Sequence, residues 1–101
     1  MNQKELLKNL EKFGFLPQQA KLYLAGIALG PSLMMPLAKK AGVKRTTTIY
    51  SMKELLRRGF FKKIKIGKRI GYLASGPEHL IKITEERKRL IIKLKPFLRK
   101  K

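Results

Sequence analysis

Six hydrogen-bonding side chains are concentrated just after a glycine turn, between residues 45 and 51. An arginine offers two parallel donors, and the hydroxyls of threonine, serine and tyrosine donate or accept, so these groups can bond to phosphate oxygens and to the edges of nucleic-acid bases. Gly42 separates the apolar residues 37–41 from the amphipathic residues 49–58, and a glycine turn between two short helices is typical of a helix-turn-helix. The candidate base-contacting residues are Arg45, Thr46, Thr47, Tyr50 and Ser51.

The composition points to a polyanionic partner. The chain of 101 residues has 25 Lys and Arg against 6 Glu, which gives a formal net charge of +19. This charge destabilises the compact state by self-repulsion unless nucleic acid or an anionic membrane surface neutralises it. Hydrophobic residues make up 44% of the chain, which argues against a disordered basic tail, and the length suits one domain with one modest core.

Residues needed for catalysis or metal binding are scarce. The chain has no Cys, no Asp, one His and six scattered Glu. Only Glu85 and Glu86 are adjacent, and because neighbours on a helix point to different sides, they do not form a pair of facing carboxylates. Gly67 and Gly71 lack the Gly-Lys-Ser/Thr ending of a phosphate-binding loop. We therefore predict no enzyme, no cofactor, no metal site and no small-molecule ligand, and we interpret His79 as a surface residue.

No membrane span or export signal is predicted. The sequence has no run of 18 apolar residues, and its first residues lack the apolar segment of a signal peptide. The expected location is therefore the cytoplasm, in association with the nucleoid.

Helical periodicity and chain breaks predict four helices in the first part of the chain. The first covers residues 3–13 and ends at Gly14, and the second covers 17–29. The third, 36–41, lacks a capping residue before it. The fourth, 45–58, ends at Gly59 and buries Ile49, Met52, Leu55 and Leu56. On the second helix the predicted buried residues are Ala20, Tyr23, Leu24, Ile27 and Ala28.

The period then changes from helical to alternating. Residues 60–66 and 69–74 read as two strands joined by a Gly67-Lys68 turn, and a last helix begins at Pro77 and is kinked or ended by Pro96. The predicted fold class is mainly α with a small β-hairpin (α+β), a winged helix-turn-helix with an added C-terminal helix. Residues 1–76 would form the DNA-binding domain, and 77–101 a dimerisation element whose residues 99–101 are frayed.

Residues 10–80 resemble the N-terminal DNA-binding domain of the TrmB-type transcriptional regulators. The resemblance implies a winged helix-turn-helix that reads DNA with the fourth helix. Gln18 and Gln19 replace the acidic residues usual in that family, and the family's ligand-binding domain is missing from this sequence, so sugar sensing is not implied. The matching runs are Phe13-Gly14-Phe15, Ala20-Lys21-Leu22-Tyr23-Leu24-Ala25, Leu29-Gly30-Pro31, Leu37-Ala38-Lys39-Lys40-Ala41-Gly42-Val43, Arg45-Thr46-Thr47-Thr48-Ile49-Tyr50, Leu55-Leu56-Arg57-Arg58-Gly59-Phe60, Gly67 and Tyr72.

Cations on and around the hairpin are the candidate contacts to the DNA backbone or minor groove. The alternatives are that these charges form only a solvated face, that Thr46 and Thr47 cap the fourth helix, and that Tyr50 packs in the core. The candidate backbone residues are Lys39, Lys40, Lys44, Arg57, Arg58, Lys62, Lys63, Lys65, Lys68 and Arg69.

The last helix carries an apolar stripe that must be buried somewhere. We expect it to form a homodimer, because a two-fold dimer suits DNA half-sites spaced by roughly 34 Å. The alternatives are folding back on the first helix, or DNA or membrane binding by the basic cluster at residues 87–89. The candidate interface residues are Leu80, Ile83, Arg87, Leu90, Leu94 and Phe97.

The sequence thus predicts a double-stranded DNA-binding transcriptional regulator. Two alternatives stay open. An architectural DNA-binding protein without sequence preference would account for a charge larger than a few operator contacts need. A protein-interaction module would use the same fold as an assembly platform.

Overall fold

A computed structural model describes residues 1–99 as five helices and one hairpin, which confirms the predicted mainly α class and the winged helix-turn-helix order. The elements are α1 (Gln3–Phe13), α2 (Pro17–Leu29), α3 (Met34–Ala41), α4 (Arg45–Arg57), β1 (Phe61–Ile66), β2 (Arg69–Ala74) and α5 (Pro77–Leu98).

The helix ends follow local chemistry. Asn2 caps α1 by accepting a bond from the Glu5 amide at 2.8 Å, and Gly42 ends α3 in the left-handed conformation, with φ +70°. Helix α3 begins two residues earlier than predicted, because Pro36 in the first turn has no amide that a helical bond would need. Leu33 precedes α3 and offers no side-chain cap, as the sequence predicted.

Helix α2 is the centre of the fold and is contacted by α1, α3, α4 and β2. Its buried apolar residues include Ala20, Leu22, Tyr23 and Ala25. The prediction was wrong for Ile27 and Ala28, which are exposed, and Leu24 is only partly buried. The reason is that Gly26, rather than a large residue, faces the hairpin: a Cβ there would lie 2.6 Å from the Phe61 ring.

Helix α4 buries Thr48, Met52 and Leu55, whereas Ile49 was predicted to be buried and is exposed. A threonine can occupy a core position here because its Oγ1 donates to the Lys44 carbonyl at 2.8 Å, so no polar group is left unpaired. Leu56, also predicted to be buried, is partly buried at the edge of the core.

The hairpin pairs β1 with β2 in antiparallel register, with Phe61 opposite Ala74 and Ile66 opposite Arg69. Gly67 has φ +62°, as the predicted two-residue turn with glycine first requires. On the other edge of β2, Ser32 exchanges two backbone bonds with Tyr72, at 3.0 and 2.7 Å, which ties the wing to the loop before α3.

Ser75 joins the hairpin to α5 with three hydrogen bonds. Its amide donates to the Phe60 carbonyl at 2.8 Å and its hydroxyl to the Gly59 carbonyl at 2.7 Å. The Tyr23 hydroxyl donates to the Ser75 carbonyl at 2.6 Å, and burial, followed by the Glu78 charge, raises the pKa of Tyr23.

Helix α5 contacts the rest of the molecule only through its first part. Leu80 and Ile83 pack against the core, and the Arg87 guanidinium lies 5.6 Å from the Phe13 ring centre. No residue of α5 is buried, and the helix continues past Pro96 to Leu98. Residues 99–101 were predicted to be frayed, and two of them, Lys100 and Lys101, lie outside the described residues.

Candidate nucleic-acid interface

The solvent face of α4 is a continuous stripe formed by Thr46, Tyr50, Lys53 and Arg57. These residues follow one another at intervals of four, three and four, so they lie on one side of the helix, opposite Thr48, Met52 and Leu55. All four are exposed. The helix therefore presents a hydroxyl, a phenol and two cations to solvent along its length.

Lys53 was not among the predicted residues. Its Nζ lies 5.8 Å from the Tyr50 ring centre, within the range of a cation–π contact. The spacing of three residues from Tyr50 is a signal in the sequence that would have identified it.

The structure also places the other predicted base-contacting residues. Arg45 is exposed in the first turn, whereas Thr47 and Ser51 are partly buried on the flank of the stripe. Residue 44 holds the capping position and makes no side-chain cap bond, so neither Thr46 nor Thr47 caps α4. Tyr50 is 73% exposed, so it does not pack in the core.

The hairpin carries its cations on both faces and at its tip. Residues paired across the strands share a face, and neighbours along a strand alternate. Lys63 and Lys65 therefore lie on the face of the buried Phe61, and Lys62 lies on the face of Ile64 and Ile66. All five predicted wing cations are exposed: Lys62, Lys63, Lys65, Lys68 and Arg69.

A groove lies between the end of α4 and the base of the wing. Its rim includes Lys53 and Arg57 from α4, and Lys62 and Lys63 from β1. Leu56 and Phe61 also line the groove and form its apolar part. Four basic residues from two elements that are separate in the sequence thus lie around one groove.

Arg57 and Arg58, though adjacent, lie in different environments. Arg57 forms an ion pair with Glu54, and the hydrogen bond from Arg57 is the main cause that holds the pKa of this exposed carboxyl below its usual value. The Arg58 guanidinium lies 4.8 Å from the Phe60 ring centre and also donates to the Gly14 carbonyl at 3.4 Å. Arg58 is therefore engaged with the α1–α2 turn, away from the stripe.

The remaining predicted backbone residues flank the turn before α4. Lys39, Lys40 and Lys44 are exposed. Lys40 also lines a cleft with Gln3 and Lys21, between α1, α2 and α3, so it points to a different side of the domain.

Within residues 1–99, no three His, Asp or Glu side chains come together as a metal site. None of the helices in the same range has the length and apolar character needed to cross a bilayer.

The chain is similar in sequence to a transcriptional regulator and in fold to a chromatin protein. Over 60 residues it is 33% identical to the HTH-type sugar sensing transcriptional regulator TrmBL1 of Pyrococcus furiosus, a match that covers 59% of this chain. The solved structure of TrmBL2, described as an archaeal chromatin protein with a novel mode of DNA binding, superposes with a TM-score of 0.72 and 21% identity over 99% of this chain. The chain carries a TrmB-like winged helix-turn-helix domain.

The matches cover only part of each relative. The chain spans 18% of TrmBL1 and 45% of the TrmBL2 chain. No protein-family model matches the chain. The likeness to TrmBL2 extends over nearly the whole chain and thus includes α5 beside the TrmB-like domain.

The predicted dimer residues divide into two groups on α5. Leu80 and Ile83 are partly buried against the TrmB-like domain itself, and Arg87 covers Phe13, so these three fold back, as the alternative reading allowed. The second group, Leu90, Leu94 and Phe97, is exposed, together with Ile91, Ile92 and Leu98.

His79 is partly buried rather than a surface residue. Its ring packs edge-on against Phe60 at 5.5 Å, and its Nε2 lies 3.2 Å from the Arg58 carbonyl oxygen. No pattern in the sequence predicts this contact, because it depends on how α5 meets the end of α4.

Proposed function

We propose that this protein binds double-stranded DNA, with α4 in the major groove and the wing on the flanking backbone. The observation that carries the proposal is the exposed α4 stripe ending in the four-cation groove at the base of the wing. Hydroxyl, phenol and guanidinium groups can contact base edges, while the cations around the groove suit phosphates. In this proposal residues 1–76 form the DNA-binding domain, and residues 77–101 form an additional element.

The electrostatics of the stripe support a polyanion as the ligand. The described residues contain one ion pair, between Arg57 and Glu54, so nearly all of their Lys and Arg side chains lack an ion-pair partner, and the net charge of +19 is not compensated within the chain. Duplex DNA would neutralise these cations and release its condensed counterions, which makes the affinity strongly dependent on salt.

We propose a role in transcriptional regulation as the first function. Arg45, Thr46 and Tyr50 are exposed at the start of α4, the part of a recognition helix that contacts bases. The regulator TrmBL1, which shares 33% identity over 60 residues, supports this role.

An architectural role in coating DNA is the second candidate. Two observations favour it: the net charge of +19, and the cations on both faces of the wing. Together they provide more positive charge than contacts to one operator require. The fold similarity to TrmBL2, an archaeal chromatin protein, agrees with it. Association with the nucleoid would follow from either role.

A random-duplex selection tests both roles. The full chain is incubated with a pool of random duplexes at about 50 and 200 mM salt, and the bound fraction is sequenced. A regulator enriches one motif that persists at the higher salt. An architectural protein binds tightly at low salt with no motif. Absence of binding at low salt overturns both DNA roles and leaves the protein-interaction module.

Matched variants localise the interface. The slope of log affinity against log salt is negative. Lys62→Ala/Lys63→Ala should reduce its magnitude by about 2, because each lysine contacts roughly one phosphate. Lys8→Ala/Lys12→Ala on α1 removes the same charge and should leave the slope nearly unchanged. Equal losses in both variants would show that net charge alone, rather than this face, determines binding.

A further inference from the structure

One acidic side chain interrupts the basic part of the fold. From the start of α2 to the end of β2, residues 17–74 contain thirteen Lys and Arg but a single acid, Glu54, in the last turn of α4. The other glutamates all belong to α1 or α5. A carboxylate on a surface that binds a polyanion repels phosphates and should weaken binding. The presence of Glu54 beside the proposed interface therefore needs a physical reason.

Glu54 pairs with Arg57 through two hydrogen bonds that fix the plane of the guanidinium. The Arg57 Nε donates to Glu54 Oε1 at 3.1 Å, and the Arg57 Nη2 donates to Glu54 Oε2. Two parallel bonds between planar groups define a direction as well as a distance, which a single contact does not. The Arg57 guanidinium is therefore held in one orientation before any ligand arrives.

The bonds to Glu54 leave the other edge of the guanidinium free. An arginine has five N–H groups, and the pair uses the one on Nε and one of the two on Nη2. The two on Nη1 and the second on Nη2 remain for a ligand, and the Arg57 side chain is 71% exposed. Such an edge can bind a phosphate through two of its oxygens.

Arg57 faces the groove at the base of the wing, whereas its partner does not. Arg57 lines that groove together with Lys53, Lys62 and Lys63, and Glu54 is not among the lining residues. The carboxylate is also the more covered member of the pair, with 41% of its side chain exposed. A phosphate in the groove can therefore contact the guanidinium without touching the carboxylate.

We infer that Glu54 is a positioning residue for DNA binding, which orients the Arg57 guanidinium so that its free edge receives a phosphate of the DNA backbone. The inference rests on the proposed binding of duplex DNA at this face. Ordering a free arginine side chain during binding lowers the affinity by about three- to tenfold. The pair with Glu54 orders the side chain beforehand, and this gain exceeds the repulsion between an exposed carboxylate and DNA.

The sign of the effect of Glu54→Ala tests the inference. Affinity of the full chain for one mixed-sequence duplex is measured at a single salt concentration. Loss of a repelling acid alone raises the affinity, whereas loss of a positioning pair lowers it. We expect Glu54→Ala to lower the affinity by about three- to tenfold. An affinity equal to or above that of the wild type would overturn the inference, because Glu54 would then only repel DNA.

Two matched variants separate the hydrogen bonds of the carboxylate from its charge. Glu54→Gln removes the same charge as Glu54→Ala but keeps one acceptor oxygen for Arg57, so it should bind DNA more tightly than Glu54→Ala. Glu11→Ala, at an exposed position on α1, makes the same change in net charge and should bind at least as tightly as the wild type. Equal losses in Glu11→Ala and Glu54→Ala would contradict a role of the pair.

A double-mutant cycle tests whether Glu54 acts through Arg57. In the Arg57→Ala background the carboxylate has no guanidinium to orient. Glu54→Ala should therefore no longer weaken DNA binding there, and should strengthen it slightly by removing a repelling charge. A loss of affinity that persists without Arg57 would overturn the inference and would assign Glu54 a role in the structure of α4 itself.

Failure of this inference and failure of DNA binding give different results. If the wild type binds DNA and the Lys62→Ala/Lys63→Ala variant changes the salt dependence, but Glu54→Ala binds as tightly as the wild type, the proposed function stands and the positioning role is wrong. A wild type that does not bind DNA at low salt overturns both.

Discussion

Helices α2 and α5 differ in how the fold uses them. Helix α2 has 13 residues, of which six are buried, while α5 has 22 residues and none is buried. Four elements contact α2, whereas α5 meets the domain mainly at Leu80, Ile83 and Arg87. The shorter helix therefore determines the stability of the single chain, and the longer one is available for other contacts.

The largest expected effect is truncation at the centre of α2. Leu22 is fully buried, so Leu22→Ala should lower the free energy of unfolding by about 2–5 kcal/mol through lost burial and a cavity. The same change at the exposed Leu90 of α5 should cost less than about 0.5 kcal/mol in dilute protein. Urea unfolding of both variants checks this contrast, and similar losses would contradict it.

The next effect concerns the close contact between α2 and the wing. Gly26→Ala would place a Cβ 2.6 Å from the Phe61 ring and 3.0 Å from the Ala74 Cβ, so overpacking should cost about 1–3 kcal/mol. Gly76→Ala is the control, because its Cβ would meet only the flexible end of Glu78. If Gly76→Ala melts at a lower temperature than Gly26→Ala, the packing argument is wrong.

Tyr23 links α2 to the start of α5 through its bond to the Ser75 carbonyl. Tyr23→Phe should cost about 1 kcal/mol near neutral pH. The raised pKa of Tyr23 favours the protonated phenol in the fold. The Tyr23 hydroxyl therefore contributes fully to the free energy of unfolding below about pH 10, and this contribution is lost as the pH rises through the folded pKa. The difference in the free energy of unfolding between wild type and variant should accordingly disappear in alkali. Urea titrations at pH 7 and above pH 10 measure it, and a constant gap would contradict the assignment.

The smallest expected effect lies where α5 leaves the domain. Arg87→Ala should cost about 0.5–1 kcal/mol by removing the contact with the Phe13 ring. Lys88→Ala, one residue on and exposed, should have almost no effect on unfolding of the single chain. If Lys88→Ala costs as much as Arg87→Ala, the domain extends further along α5 than the contacts indicate.

Much of the fold was predictable because the chain is punctuated by glycine and proline. Gly14, Gly42, Gly59 and the Gly67 turn all separate elements as the sequence predicted. The errors arose where burial depends on tertiary contacts. Thr48 replaces Ile49 in the core through a bond to a main-chain carbonyl, which an apolar pattern does not reveal.

The site was less predictable than the fold. Tyr50 and the wing lysines are exposed, in agreement with their selection as candidates from the sequence. The exposed stripe on α4 could be identified only once the structure showed which side of the helix is buried. Lys53 was missed, and Arg58 packs on Phe60, because residue type alone does not distinguish neighbouring cations. The contacts of these residues with DNA stay predictions.

The three bonds at Ser75 make the junction between the wing and α5 stiff. Its amide, hydroxyl and carbonyl are all engaged, with Phe60, Gly59 and Tyr23. Helix α5 therefore behaves as a rigid lever about 33 Å long, so a rotation of helix and domain together by about 10° moves the far end of the helix by about 6 Å. A ligand or partner that grips the far end of α5 can thereby turn the whole domain with little change in its interior.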